Sequence, residues 1–252
     1  MTASQPGHSS NAAASTGQAA PSVPEALDFQ ADSAALADLL SDLTETELTT
    51  ATGFKQWSIN DIVAHLHFFN ELADQSLRDE PRFVERYAQL GARMQAGATM
   101  MAATNDMLEG LTAVWQAQVD AMTPPWSMAD PRARVQWAGP TMSVRSSISA
   151  RLMETWAHAQ AVYDLRGLHR TNTDRLRSIV VMGVNTFGWT FTTRSLPVPA
   201  EKPAVLLQAP SGAAWHFNEA AAASNCIEGS AEAFCQVVTQ VRNVQDTDLR
   251  VS

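Results

Sequence analysis

Glu154 and His158, four positions apart, are the best candidates for functional residues in this sequence. They lie between Met142 and Gly167, a stretch of good helix formers without an internal proline or glycine. We predict one helix here, ending at the glycine, with both side chains on one face. A carboxylate and an imidazole one turn apart could supply half of a metal site, or could form an ordinary surface pair. A metal site requires a further ligand from another element.

His65 is the candidate for that further ligand. It lies in the predicted helix 58–79, which starts with the capping-box-like sequence Ser58-Ile-Asn-Asp61. Its face also carries an apolar stripe, whereas His67 lies about 200° round the helix and should point elsewhere. A single inward histidine can be a hydrogen-bonded core residue. The ligand hypothesis therefore depends on His65 facing the same interior as Glu154 and His158.

Two imidazoles and one carboxylate would leave open positions on a bound ion, as in catalytic metal sites. Zinc is the predicted ion because no redox partner is evident, although iron(II), manganese or nickel would also suit these ligands. An open zinc ion can polarise a carbonyl or lower the pKa of a bound thiol or water. Arg145 and Arg151 lie near or on the ligand face and are candidate substrate-binding residues. The alternative for each arginine is a surface ion pair.

The predicted fold class is α+β, with a four-helix bundle over residues 25–168 and a small α+β domain over residues 169–252. The bundle is predicted from four stretches of helical periodicity, 27–43, 58–79, 82–122 and 142–167. Pro124-Pro125 should stop the third helix. The C-terminal domain is predicted to contain a helix and three strands near 204–209, 212–217 and 223–229, the first two forming a hairpin. A last helix over 231–243 should follow, capped by Ser230.

The N-terminal segment 1–24 contains no Asp, Glu, Lys or Arg and is rich in Ala, Ser, Gly and Pro. We predict that it is a disordered tail outside the fold. It has neither a basic start nor an apolar core, so it does not resemble a signal peptide.

Composition narrows the class of protein. The chain has 252 residues, of which 45% are hydrophobic and 17% charged, as expected of a globular protein. A formal charge of −9 disfavours nucleic acid and anionic membranes as partners. Cys226 and Cys235 are the only cysteines and are expected to be free thiols in a reducing compartment. We therefore expect a cytoplasmic protein with a small-molecule substrate, its oligomeric state open.

Three segments carry a resemblance to a known family: GFKQWSINDIVAHLHFF, WAGPTMSVRSSISARLMETWAHAQ and AEAFCQVVTQVRNVQDTDL. Together they resemble the DinB-like metalloprotein superfamily, in particular the mycothiol-dependent maleylpyruvate isomerases and an uncharacterised actinobacterial metal-binding subfamily. The resemblance implies one divalent metal on His65, Glu154 and His158, with a C-terminal unit similar to a sterol-carrier fold. It also implies a catalytic role for Arg242 and mycothiol as a thiol cofactor. The chain departs from relatives that read H-G-Q-D, because Ala161 replaces the carboxylate.

Three function classes are compatible with these residues. The first is a thiol-dependent isomerase or transferase acting on a small unsaturated acid or electrophile. The second is a metal-water hydrolase without a thiol. The third is a metal-binding or ligand-binding protein without turnover, since a fold does not fix a function.

Overall fold

The structure, a computed structural model, describes residues 22–104, 110–219 and 225–252. The helices in these ranges are α1 (Glu25–Leu40), α2 (Glu45–Leu48), α3 (Ile59–Arg78), α4 (Glu80–Gln95), α5 (Met100–Thr104), α6 (Leu111–Met128), α7 (Val144–Arg166), α8 (Leu176–Asn185), α9 (Phe187–Thr192) and α10 (Ala231–Val238). The strands are β1 (Arg134–Val135), β2 (Met142–Ser143), β3 (Ala204–Gln208), β4 (Ala214–Phe217), β5 (Cys226–Ser230) and β6 (Arg250–Val251). None of the helices in these ranges is long and apolar enough to cross a membrane.

Helices α1, α3, α6 and α7 form a four-helix bundle. Both α1 and α3 pack against α6 and α7. Large side chains fill the interior, including the fully buried Trp115, Trp126, Trp156 and Phe29. The predicted bundle and the α+β class are confirmed.

The third predicted helical stretch is divided. Only α6 enters the bundle, while α4 and α5 pack on α3 and share a small second core with Phe68, Phe69 and Leu72. The prediction that Pro124-Pro125 stops the helix is wrong, because α6 continues through both prolines to Met128. Each proline removes a backbone donor. Trp126 offsets this loss, since it is fully buried and its Nε1 donates to Asp74 Oδ1 at 3.1 Å.

Local signals fix the two helices that carry the candidate ligands. At the start of α3, the hydroxyl of Ser58 accepts from the backbone N–H of Asp61, and the Asp61 carboxylate accepts from the backbone N–H of Ser58. Helix α7 begins after Ser143, whose hydroxyl accepts from the backbone N–H of Ser146. It ends at Gly167, where φ of 63° suits glycine. These caps set the start of each helix, and thus which side chains face the bundle.

The C-terminal unit contains a four-stranded sheet in the order β4-β3-β5-β6. The predicted hairpin is confirmed, because β3 and β4 pair antiparallel; β5 then joins β3 in parallel. Helix α8 packs on both α7 and α10, which ties the unit to the bundle. The last helix is shorter than predicted. It ends at Val238, and Gln240 adopts a left-handed φ of 62°, so Arg242 follows the helix instead of lying in its last turn.

The predicted tail boundary falls inside the packed structure. Residues 1–21 lie outside the described residues, but Val23 is 0% exposed and belongs to the main core. Its backbone N–H donates to the carbonyl of Ser127 at 3.0 Å. Packing on α6 therefore begins ahead of α1, before the predicted boundary.

Two truncations test this boundary. Deleting residues 1–21 should leave the melting temperature unchanged, because that segment offers little apolar surface. Deleting residues 1–24 also removes Val23, whose burial contributes about 1.5–3 kcal/mol, and should lower the melting temperature by roughly 3–10 °C. Thermal denaturation followed by circular dichroism distinguishes the two. Equal melting temperatures for both truncations would contradict a core role for Val23.

Candidate metal centre

The three predicted ligands meet at one point. Nε2 of His158 lies 3.3 Å from Oε2 of Glu154, and Nε2 of His65 lies 3.8 Å from the same oxygen. One donor atom from each side chain lies within 4.8 Å of the other two. Ligands at zinc-like distances around one ion would be separated by roughly 3.3–3.6 Å. The donor types and their spacing therefore fit one divalent ion.

The protonation states of this cluster suit a cation. Burial alone would raise the pKa of the Glu154 carboxyl, but hydrogen bonds from His158 and His65 and the charge of Arg151 outweigh it and hold that pKa well below its usual range. Burial lowers the pKa of His65, and the Glu154 carboxylate only partly offsets this effect. An ionised carboxylate beside a neutral imidazole is what metal ligation requires.

The depressed pKa of His65 predicts acid sensitivity of the metal-free protein. At pH values between the folded pKa of His65 and its ordinary pKa of 6.5, this histidine is protonated in the unfolded chain but not in the folded chain. The His65 contribution to stability is therefore present above pH 6.5 and is lost as the pH falls through the folded pKa. The Glu154 contribution is lost at lower pH, as the pH falls from the carboxyl's ordinary value through its depressed folded pKa.

The measurement is the melting temperature after chelator treatment, from about pH 7.5 to about pH 5.5. Replacing His65 with glutamine should flatten the decrease. The control, His216→Gln, changes an exposed histidine of β4 and should retain the wild-type slope. A wild-type melting temperature that is constant or rises on acidification would contradict the prediction.

Aromatic rings hold the two histidines in place. Trp57 is parallel to the His158 ring at 6.0 Å, and Phe54 meets the same ring edge-on at 4.9 Å. Phe69 lies 4.8 Å from the His65 ring, measured between centroids. Nδ1 of His65 is buried and has no hydrogen-bond partner in the described part of the chain. Ring packing therefore takes the orienting role that an outer hydrogen bond has in many metal sites.

The centre opens into a cleft of about 750 Å³ between the bundle and the C-terminal unit. This volume is typical of small-molecule sites. The cleft is lined by Gly53, Phe54, Lys55, Trp57, His65, Met100, Met153, Glu154, Ala157, His158, Ala161, Asp164, Val238, Thr239, Gln240, Val241 and Arg242. About a third of the Glu154 side chain is exposed there, so a ligand entering the cleft can reach the centre.

Arg242 lies in the wall of this cleft with all three candidate ligands. Its Nη2 donates to Oδ1 of Asp164 at 2.6 Å. Asp164 also accepts from Nε2 of Gln160 at 3.0 Å, so the carboxylate that holds the guanidinium is itself held. Arg242 thus lines the cleft from the segment after α10, and its partner Asp164 lies one turn beyond Ala161 on α7.

The structure does not bring Arg145 to the cleft. Its Nε lies 3.1 Å from Oε1 of Glu25, and its Nη2 donates to the carbonyl of Ser22. Arg145 is in the first turn of α7, nine residues before Glu154, which places it about 14 Å away along the helix axis. The structure therefore places Arg145 in a surface ion pair, the alternative given above, and outside the cleft.

Arg151 also fails to line the cleft. It shares the ligand face of α7, but only 1% of it is exposed, and its guanidinium lies over the rings of Phe69 and Trp137 at 5.8 and 5.6 Å. Its Nε and Nη1 are buried without a hydrogen-bond partner among the described residues. A substrate cannot reach it. Its effect on the site is electrostatic, through the lowered pKa of Glu154.

Lys55 lines the cleft although no sequence pattern pointed to it. Its Nζ lies 5.2 Å from the centroid of the Phe54 ring and 6.0 Å from that of Trp57. It has no carboxylate partner among the described residues. Both Lys55 and Gln56 have positive φ, 50° and 60°, a conformation that non-glycine residues rarely adopt in succession. The available signal was position, because Lys55 lies in the loop that leads into the helix carrying His65.

His67 does not join the centre. It is buried on another side of α3, where Nε2 of Gln118 donates to its backbone carbonyl. The predicted difference between the two histidines is therefore observed.

Residues 29–163, more than half of the chain, match the family model described as the mycothiol maleylpyruvate isomerase N-terminal domain. The chain belongs to this family. The family resemblance inferred from the three sequence segments is confirmed.

Two Mycobacterium tuberculosis proteins, Uncharacterized protein MT0041 and Uncharacterized protein Rv0036c, are each 33% identical over 230 residues, covering 90% of this chain and 88% of theirs. The crystal structure of the mycothiol-dependent maleylpyruvate isomerase matches with a TM-score of 0.55 and 16% identity, over 91% of this chain and 92% of that chain. A histidine-to-alanine mutant of that enzyme matches with the same TM-score at 15% identity and the same coverage. At such identities the likeness shows the fold.

Proposed function

We propose that this family member is a divalent-metal-dependent enzyme that uses a low-molecular-weight thiol, mycothiol, in an isomerase or transferase reaction. The substrate would be a small unsaturated acid or another electrophile. The observation that carries the proposal is the convergence of His65, Glu154 and His158 in a cleft that two cationic side chains also line. The family of the chain, and the mycothiol dependence of the isomerase whose fold it shares, support the choice of thiol.

His65, Glu154 and His158 would hold the ion, with zinc the best match to these ligands. When bound, zinc supplies Lewis acidity that favours the thiolate form of a thiol at neutral pH. The remaining tasks fall to the chain itself. Phe54 and Trp57 form an apolar wall beside the His158 ring and restrict water at that side of the cleft.

Lys55 and Arg242 are the groups that would bind the substrate carboxylate or the polar groups of the thiol. They come from different parts of the fold, the loop before α3 and the segment after α10. The fork of Arg242 can bind a carboxylate through two hydrogen bonds, whereas Lys55 acts as a point charge. Asp164 would hold the Arg242 side chain at the wall until an anion arrives.

A cytoplasmic location fits this proposal. Cys226 and Cys235 are buried free thiols, and a thiol cofactor also requires a reducing compartment.

Metal analysis combined with a thermal-shift screen tests the proposal. The purified protein should contain about one divalent ion per chain, and the loaded protein should be stabilised by mycothiol more than by glutathione. Maleate should stabilise it further, and Lys55→Gln should lose that effect while keeping the metal. Stabilisation by acids without any thiol effect would favour a metal-water hydrolase. If neither thiols nor small acids stabilise the protein, the result would favour a binding protein without turnover and contradict the proposal.

A further inference from the structure

A second cavity, of about 510 Å³, lies mainly in the C-terminal unit and reaches Met153 of α7. Its walls come from α8, α9, the sheet and α10, and they are predominantly apolar. The aromatic and aliphatic residues that line it include Phe187, Phe191, Val205, Ile227, Phe234 and Val237. The volume is within the range of sites that take small organic ligands.

Helix α9 leaves unusual apolar surface beside this cavity. It carries three aromatic residues, Phe187, Trp189 and Phe191, and none of them is buried. Trp189 is 51% exposed, whereas Trp115 and Trp126 in the bundle are 0% exposed. All three α9 aromatics line the cavity. An apolar molecule in the cavity would cover surface that the fold itself leaves uncovered.

Two cationic side chains, those of Arg194 and Lys202, line the same cavity. Nη1 of Arg194 donates to the carbonyl of Thr190 at 2.9 Å. Across the described ranges neither side chain is paired with a carboxylate, although acidic residues outnumber basic ones by 26 to 17. Both are exposed, so they are available to a ligand from solvent. Unneutralised cations beside an aromatic cavity match a ligand with an apolar body and one anionic end.

The second cavity adjoins the metal cleft. Met153, Val238 and Gln240 line both. Met153 directly precedes Glu154 on α7, and Gln240 is the residue with left-handed backbone after α10. A ligand in the second cavity would therefore contact the wall of the cleft without entering it.

We propose that this cavity is a binding site for apolar carboxylates, with the hydrocarbon part among the α9 aromatics and the carboxylate at Arg194 and Lys202. The site is separate from the metal centre and does not depend on the proposed thiol chemistry.

Three probes separate the contribution of the hydrocarbon chain from that of the carboxylate. They are decanoate, decan-1-ol, which has the same chain length but no charge, and butyrate, which has the same charge but a short chain. Isothermal titration calorimetry on the full chain should show decanoate binding at least about 10-fold more tightly than either comparison. Arg194→Gln combined with Lys202→Gln should weaken decanoate about 10-fold or more, and should leave decan-1-ol unaffected. Because both side chains are exposed, this variant should keep the wild-type melting temperature.

The matched control is Arg132→Gln with Arg250→Gln, which removes the same charge from exposed positions outside the cavity. It should bind decanoate as the wild type does. The variant His158→Ala should also bind decanoate normally. Failure at the metal centre is therefore distinguishable from failure of this site.

Amine labelling reports the location of the ligand directly. The chain has only two lysines, Lys55 in the metal cleft and Lys202 at the second cavity. Decanoate should slow the reductive methylation of Lys202, measured by peptide mass spectrometry, and leave that of Lys55 unchanged. Protection of Lys55 alone, or equal decanoate affinity in the wild type and the double glutamine variant, would overturn the proposal. The proposal would also be overturned if the protein co-sediments with phosphatidylglycerol vesicles, or dimerises through α9, without binding decanoate.

Discussion

Alanine at His158 should remove the metal ion, lowering bound zinc from about one ion per chain to less than roughly a tenth of that after dialysis. His65→Ala should have the same effect. Loss of a residue that only supports a ligand costs about 10- to 100-fold in metal affinity, and loss of a ligand should cost more. The reason is geometric, because each histidine supplies one of three donor atoms within 4.8 Å of one another. Elemental analysis together with competition against a chromophoric chelator measures both stoichiometry and affinity.

The control for this experiment is His216→Ala. His216 is exposed on β4 and pairs with Glu219, so the variant removes an imidazole without touching the cleft. Its metal content should equal that of the wild type. Normal zinc affinity in both His65→Ala and His158→Ala would contradict the hypothesis that these residues bind a metal ion. Melting temperatures of the chelator-treated proteins show whether a variant has lost its fold instead.

Arg242→Ala should weaken binding or turnover of an anionic ligand by roughly 10- to 100-fold while leaving the metal content unchanged, as expected for a charged hydrogen bond. Arg242→Lys should recover only part of the loss, since an ammonium cannot reproduce the planar fork of the guanidinium. Asp164→Asn should give a smaller loss, because the cation remains but its 2.6 Å anchor is weakened. Calorimetric titration with maleate, with and without mycothiol, supplies the measurement.

Arg250→Ala is the matched control for Arg242. It removes an arginine from the same unit, one that pairs with Glu228 and has a side chain 79% exposed. Ligand affinity should not change. A loss of metal in Arg242→Ala, or equal ligand affinity in the Arg242 and Arg250 variants, would leave Arg242 only its structural pairing with Asp164.

Local sequence signals are sufficient to predict the two helices that carry the candidate ligands and the faces that these helices turn to the bundle. The capping box at Ser58 and the glycine at position 167 are local signals, and helical phase carries them along the chain to His65, Glu154 and His158. For the same reason the hairpin and the cap at Ser230 were predictable. Periodicity depends only on near neighbours, so these features did not require knowledge of the packing.

Which side chains cover each helix face depends on contacts between separate elements, which local signals do not contain. Arg151 occupies the ligand face of α7, yet Phe69 of α3 and Trp137 of the loop between β1 and β2 cover it, and helical periodicity does not contain these contacts. Lys55 reaches the cleft through two consecutive left-handed residues, which their own side chains do not favour. Helix α6 continues past its prolines to Trp126, which is buried in the core and donates to Asp74 of α3. In each case, contacts between residues far apart in the chain overrode the local preference, since the free energy of packing exceeds that of local propensity.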